Sequence, residues 1–250
     1  MPDALGSALA EPGLVWLLIA TIVAGLCFGF AGFGTALIFL PIAASVVPPE
    51  AAVAIMSLIG MGSVVTMLPR TWAQSERRAT TWMILAAVAT MPAGIWLLAR
   101  ADPVPLRWAM CLIVAGTLAA VLSGWKLRLG SGPAPRLSLG AAAGLVGGAT
   151  GLLGPVVILT TLASGDGAGR MRANVSTFLT VVNCAFLPLL WLQDALPARA
   201  VGVGLVLLPV YMLATLVGAA LFRPEAERLY RTLAHLVVAA AVVAGLPLFD

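Results

Sequence analysis

Hydrophobic residues come in blocks of about 20 along this chain, the length that crosses a bilayer core as a helix, and the charged residues sit in short clusters between them. Six blocks, at roughly 51–69, 80–99, 105–125, 173–192, 200–222 and 232–249, predict full membrane-spanning helices. Two further apolar regions behave differently. Residues 13–47 break at Gly29-Phe30-Ala31-Gly32-Phe33-Gly34, and residues 137–164 break across Gly147-Gly148-Ala149-Thr150-Gly151-Leu152-Leu153-Gly154-Pro155. The pieces after the breaks, about 34–47 and 154–164, are roughly 16–21 Å long as helices, too short to cross comfortably.

The same order therefore occurs twice: a broken apolar hairpin, then three full spans. This predicts one transmembrane domain over 1–250 made of two repeats, 13–125 and 137–249. Sliding the halves by 120 residues places Gly34 on Gly154, Ile38 on Ile158, Ser57 on Thr177 and Ser63 on Asn183. Allowing four more residues puts Gly94 on Gly218 and Arg107 on Arg231. The basic residues give the direction. If each broken region enters and leaves on one side, 11 of the 14 Lys and Arg share a side; if each crosses once, the split is even. Basic loops stay in the cytoplasm, so the hairpin arrangement is preferred. The same count follows if both hairpin arms cross fully. Each half then makes an odd number of crossings, and the halves are inverted relative to each other. The expected fold is an all-α polytopic membrane protein with two inverted repeats.

Composition strengthens this and removes other classes. The chain is 61% hydrophobic and 10% charged, against about 25% charged in soluble domains. A water-soluble enzyme, a nucleic-acid binder and a disordered chain are excluded, and the net charge of +4 reflects loop orientation. Asp3 and Glu11 precede the first apolar block without any Lys or Arg, the wrong charge for a signal peptide. Cys27, Cys111 and Cys184 lie inside apolar blocks with no CxxC spacing and read as small buried hydrophobes.

Inverted repeats with interrupted helices are the architecture of secondary transporters. Irregular backbone at membrane depth is tolerated where it lines a cavity or is buried in protein. Thr35 follows Gly34, and Pro155 follows Gly154 and suits a first helical position. Both half-helices would aim free N–H groups and a positive dipole end at the membrane centre, a site for an anion. No Asp or Glu lies inside a span, which disfavours a cation site or a carboxylate proton relay.

Each feature also has a plainer reading. Gly25 and Gly29, and Gly140, Gly144 and Gly148, have the spacing that lets helices pack closely. Ser176, Thr180 and Asn183 share one helical face, with Asn174 and Thr177 near the start of that helix. Hydrogen bonding between helices or back to the helix itself competes with ligand contact for the hydroxyls; the two amides favour cavity lining. His235 reads as a neutral hydrogen-bonded histidine. Trp72 and Trp191 read as interface anchors, and Arg107, Arg228 and Arg231 as interface residues. No GxSG, HExxH or P-loop occurs, and one histidine supplies no catalytic pair, so neither an enzyme nor an ATP-driven pump is expected.

The run from Gly29 to Pro41 (GFAGFGTALIFLP) resembles the first glycine-rich signature of the TauE/SafE family of sulfite exporters, the TSUP transporters. Gly147 to Leu159 resembles its second. The stretches Ala52-Val53-Ala54-Ile55-Met56-Ser57-Leu58 and Arg172-Ala173-Asn174-Val175-Ser176-Thr177-Phe178 resemble the segments that follow them. The resemblance implies a multi-pass protein of a bacterial inner membrane that exports sulfite, sulfoacetate or another organosulfonate. Two alternatives stay open: an anion channel of the same architecture, or a transporter of a different small carboxylate or oxyanion.

The expected substrate-binding residues are Gly32, Phe33, Gly34, Thr35, Ser57, Ser63, Gly151, Gly154, Asn174, Ser176, Thr177, Thr180 and Asn183. No catalytic residue, metal or cofactor is expected. The expected partners are the anion and the lipid bilayer, with a homodimer left open and no nucleic acid. Both termini are expected outside the cytoplasm. Reporter fusions at the two ends check this, and cytoplasmic signal from either end removes the argument for inversion.

Overall fold

The computed structural model describes residues 13–123, 132–161, 168–221, 236 and 238–245, which are helical throughout apart from short turns. His235, Arg228 and Arg231 lie outside the described residues, as does half of the block at 232–249. The first half runs α1 (Leu14–Ala31), α2 (Thr35–Ala43), α3 (Pro49–Gly60), α4 (Gly62–Thr66), α5 (Leu68–Gln74), α6 (Arg77–Leu98) and α7 (Pro103–Leu122). The second runs α8 (Pro133–Thr150), α9 (Gly154–Thr161), α10 (Ala168–Leu192) and α11 (Ala198–Leu221).

Six stretches are long and apolar enough to cross a membrane: Leu14–Ala31, Pro49–Thr66, Arg77–Leu98, Pro103–Leu122, Gly169–Leu192 and Ala198–Leu221. Together with the all-helical order this is a polytopic membrane protein. The first arm of the first hairpin is itself span-length, about 27 Å for its 18 residues. The return arms are short: α2 has 9 residues and α9 has 8, roughly 12–14 Å.

Both breaks fall where glycine takes a left-handed backbone. Gly32 has φ 79° and its N–H closes on Phe28 O at 2.8 Å; Gly151 has φ 75° and its N–H closes on Gly147 O at 2.7 Å. This single left-handed closure ends a helix, and a side chain there would meet a steric penalty. Gly34, at φ 108°, then turns the chain into α2. The second return helix starts one residue earlier than the sequence indicated. Gly154 takes the first position and Pro155 the second, equally tolerant because an N–H there would have no intrahelical acceptor, so proline loses no bond by lacking one.

A third interruption falls in the first span, where Gly60-Met61-Gly62 separates α3 from α4. Met61 N–H bonds Leu58 O at 3.1 Å, so the Ser57 carbonyl loses the N–H it would accept in a continuous helix.

The two most extensive helix contacts are α6 with α8 and α1 with α11. Each joins the first arm of one half's hairpin to a span of the other half. Both are made by glycine. A Cβ at Gly29 would strike the Thr215 carbonyl and at Gly218 the Leu26 carbonyl; at Gly144 it would strike Ala87 O, and at Gly94 Leu145 O. The plain packing reading of the spaced glycines accounts for these positions. Without a hydrophobic drive between helices in lipid, close backbone approach is what supplies association.

Burial sorts the spans. In the Pro49–Thr66 stretch 67% of residues are buried, against 28% in Pro103–Leu122, so α3 and α4 are central and α7 is peripheral. Trp16, Trp82, Trp96, Trp191, Leu112 and Leu213 are exposed, as expected of a lipid-facing surface. Arg100 stacks over Trp96 at 4.6 Å, a cation–π contact at a span end.

Gly29→Val and Gly144→Val each force backbone apart, and we expect each to destabilise the protein by at least ~2 kcal/mol, the usual scale of overpacking. Gly116, in the middle of α7, has open space where a Cβ would go. Gly116→Ala should stabilise by up to about 1 kcal/mol through helix propensity. Melting curves of the three purified variants check the contrast.

Candidate functional site

The two helix breaks and polar residues of α4, α10 and α11 converge on one cavity of about 50 Å³. Gly34, Thr35, Ala36 and Leu37 line it from the first break, and Gly151, Leu153, Gly154 and Ile158 from the second. Met56, Gly60 and Ser63 come from α3 and α4; Leu179, Thr180 and Asn183 from α10; Phe28 from α1; Tyr211 from α11. No charged side chain is among them.

The lining contains three position pairs that the 120-residue offset relates: Gly34 with Gly154, Gly60 with Thr180, and Ser63 with Asn183. The cavity thus draws matched positions from both halves.

The N-terminus of α2 is open. Its first intrahelical bond is Ile38 N–H to Gly34 O at 3.0 Å. The N–H groups of Thr35, Ala36 and Leu37 therefore lack helical acceptors, and no described group accepts from them. The opposite end of the break is closed. Ser176 Oγ donates to Gly32 O at 2.8 Å and the Arg172 guanidinium donates to Gly29 O. A cation at a helix C-terminus also complements the helix dipole. What remains unsatisfied at the break is donor-rich and positive.

Asn183 is 7% exposed and donates from Nδ2 to Ser57 O at 2.9 Å. That is the carbonyl freed by the interruption after α3. A carbonyl only accepts, so this bond fixes which way the amide faces. One amide N–H and the Oδ1 remain for other partners. Thr180 is 1% exposed, lines the cavity, and its hydroxyl has no hydrogen-bond partner. Ser63 sits in the lining with its hydroxyl turned back to Gly60 O. Thr35 Oγ1 pairs with Tyr211 Oη at 2.8 Å.

Of the residues expected from the sequence, the cavity gathers Gly34, Thr35, Ser63, Gly151, Gly154, Thr180 and Asn183. The other six lie outside its lining. Gly32 and Ser176 form the closed end of the first break. Phe33 packs part-buried against the core. Ser57 and Thr177 are fully buried, with hydroxyls that have no partner. Asn174 is spent elsewhere: its Oδ1 accepts the Glu76 N–H at 2.7 Å, just before α6 begins. Glu76 also pairs with Arg136 at 3.3 Å, so Asn174 belongs to a polar cluster tying α6, α8 and α10 together.

Sequence reasoning did not single out Tyr211, Phe28 or Gly60. A tyrosine inside an apolar block gave one signal, a polar atom at membrane depth, but no spacing tied it to the breaks.

An all-helical membrane protein with paired broken helices around an uncharged, donor-rich cavity is, as a class, built like a membrane transport protein. The family model for Sulfite exporter TauE/SafE matches residues 17–244, and the chain belongs to that family. It is a transporter family rather than an enzymatic one. No curated protein and no solved structure matches the chain.

The two asparagines separate by position. Asn174→Leu should lower the melting temperature and leave anion affinity unchanged. Asn183→Leu should weaken anion binding by ~1–3 kcal/mol, the range for losing a hydrogen bond to a charged group. Binding isotherms and melting curves on the same variants decide; the reverse pattern would remove Asn183 from the site.

Proposed function

We propose that the chain exports a small sulfur oxyanion, sulfite before the larger organosulfonates, by alternating access between two inverted halves. The observation that carries this reading is the set of free N–H groups at Thr35, Ala36 and Leu37 opening on the shared cavity. Backbone donors at a helix N-terminus bind oxyanions without a charged side chain. Excluding a fixed cation keeps binding weak enough for release, which a carrier needs on every cycle.

Cavity size favours the smaller ligand. One water-sized sphere takes about 10–15 Å³ of such volume, so 50 Å³ accommodates a few heavy atoms. Sulfite has a sulfur and three oxygens; sulfoacetate adds a methylene and a carboxylate. The inversion of the halves is supported by the crossed contacts of α1 with α11 and α8 with α6, and by matched positions in the lining. Export of a monoanion also runs down an inside-negative potential. That supplies ~2.3 kcal/mol per 100 mV, a gradient of roughly 40-fold at ~1.4 kcal/mol per tenfold, with no coupling ion required.

Sulfite should raise the melting temperature of the purified protein, because a ligand of the folded state stabilises it by mass action: ~2.7 kcal/mol at a hundred times its dissociation constant. Chloride at equal ionic strength is the control. Thr35→Asp places a carboxylate at the first position of α2, where it suits the helix dipole. The variant should fold at least as well and lose the sulfite response. A sulfite response equal to wild type in Thr35→Asp would place the anion elsewhere. Flux into vesicles that fails to saturate would favour the channel.

A further inference from the structure

The two half-helices that meet at the cavity are not equivalent. The first positions of α2 are Thr35, Ala36 and Leu37, all with N–H groups, and Thr35 adds a hydroxyl. The second position of α9 is Pro155, which has no N–H to give. Only the α2 end carries a paired hydroxyl: Thr35 Oγ1 lies 2.8 Å from Tyr211 Oη.

Tyr211 is held with its hydroxyl within hydrogen-bonding reach of the Thr35 and Thr215 side chains. It is 1% exposed. Its ring lies 6.4 Å from the Phe28 ring, tilted by 43°, and a Cβ at Gly25 or Gly62 would touch it. Helices α1, α4 and α11 therefore clamp the ring. A phenol is more acidic than an aliphatic alcohol, so it is the better donor of the two. When Tyr211 donates to Thr35 Oγ1, the single Thr35 hydroxyl proton must point away from Tyr211. Donation in series also polarises the second hydroxyl, strengthening it as a donor. Thr180 lines the same cavity, 1% exposed and with a hydroxyl that has no partner.

We propose that Tyr211 is the positioning residue of this site. It fixes the Thr35 hydroxyl as a donor into the cavity, so the α2 end rather than the α9 end takes the negative charge. The proposal rests on the anion reading above and adds what that reading leaves open: which end reads the charge, and which residue outside the two breaks sets it.

The test is sulfite titration calorimetry on the full chain in lipid nanodiscs, with melting curves of the unliganded variants. Tyr211→Phe should weaken sulfite binding about tenfold, and Thr35→Val about 10- to 100-fold, the span for hydrogen bonds to a charged group. In the double variant Tyr211→Phe should cost almost nothing further, because its effect runs through the Thr35 hydroxyl. Thr35→Ser, which restores the hydroxyl, should recover most of the affinity that Thr35→Val loses. Pro155→Ala, which adds an N–H to α9, should shift affinity by less than about threefold.

Two results overturn the proposal while wild type binds sulfite: Tyr211→Phe binding as tightly as wild type, or losing as much on top of Thr35→Val as it loses alone. Tightening by tenfold in Pro155→Ala overturns the one-ended assignment. If Tyr211→Phe does not fold, failure of Thr35→Ser to recover affinity overturns the role of the hydroxyl. Absence of sulfite binding in wild type overturns the anion reading itself, and this proposal with it.

Discussion

Everything in this molecule follows from ending helices inside hydrocarbon. Each helix end leaves backbone groups without partners, and lipid offers none. The protein treats the two kinds of end differently. Carbonyl ends are closed: Gly32 and Gly151 fold back on Phe28 and Gly147, Ser176 and Arg172 cover Gly32 and Gly29, and Asn183 covers Ser57. The N–H groups of Thr35, Ala36 and Leu37 are left open on a cavity. Closing the acceptors and exposing the donors turns a structural cost into a site of fixed sign. It also explains why that site has no lysine or arginine of its own: the backbone supplies the positive end.

Holding such breaks in place requires rigid neighbours. The long arms α1 and α8 are each pressed against a span of the opposite half, and backbone meets backbone through Gly29 and Gly218 on one side and Gly94 and Gly144 on the other. These contacts tie the halves across each other, so a break cannot move without the span it leans on. The return helices α2 and α9 are short, and each packs against the long arm of its own hairpin and against α7; α2 also packs on α3, and α9 on α10. They are the elements through which motion of the long pairs would reach the ligand.

Much of this was legible in the residue pattern. Block length gave five of the spans to within a few residues, and glycine clusters marked both breaks, because glycine readily takes the left-handed closure at 32 and 151. Three things were not legible. The interruption at Gly60-Met61-Gly62 lies in an unbroken apolar run, so hydropathy passes through it. The fate of the two amides depends on depth: Asn174 shares its turn with Arg170 and Arg172 and meets the start of α6, whereas Asn183 is two to three turns deeper. Tyr211 belongs to the site through the crossing of α11 over α1, a tertiary fact with no local trace.

The halves match in order but differ where they meet the cavity. Thr180 stands opposite Gly60 and Asn183 opposite Ser63 at the 120-residue offset, while Thr35 stands opposite Pro155. The closures differ as well. The first break is held across the halves by a serine and an arginine, while the second is closed within its own half by Thr150, whose hydroxyl donates to Val146 O and accepts the Leu152 N–H. An exchange of two equal halves would produce two access states of equal energy, with no preferred side. On the alternating-access reading proposed above, a charge-assisted closure across the halves at the first break, against a neutral local one at the second, removes that degeneracy, because a charge-assisted hydrogen bond in low dielectric costs more to break than a neutral one. On that reading, the bias between access states resides in Arg172 and Ser176, at the break that also carries the open N–H groups. On the same reading, opening the first break and exposing the proposed anion site are one event.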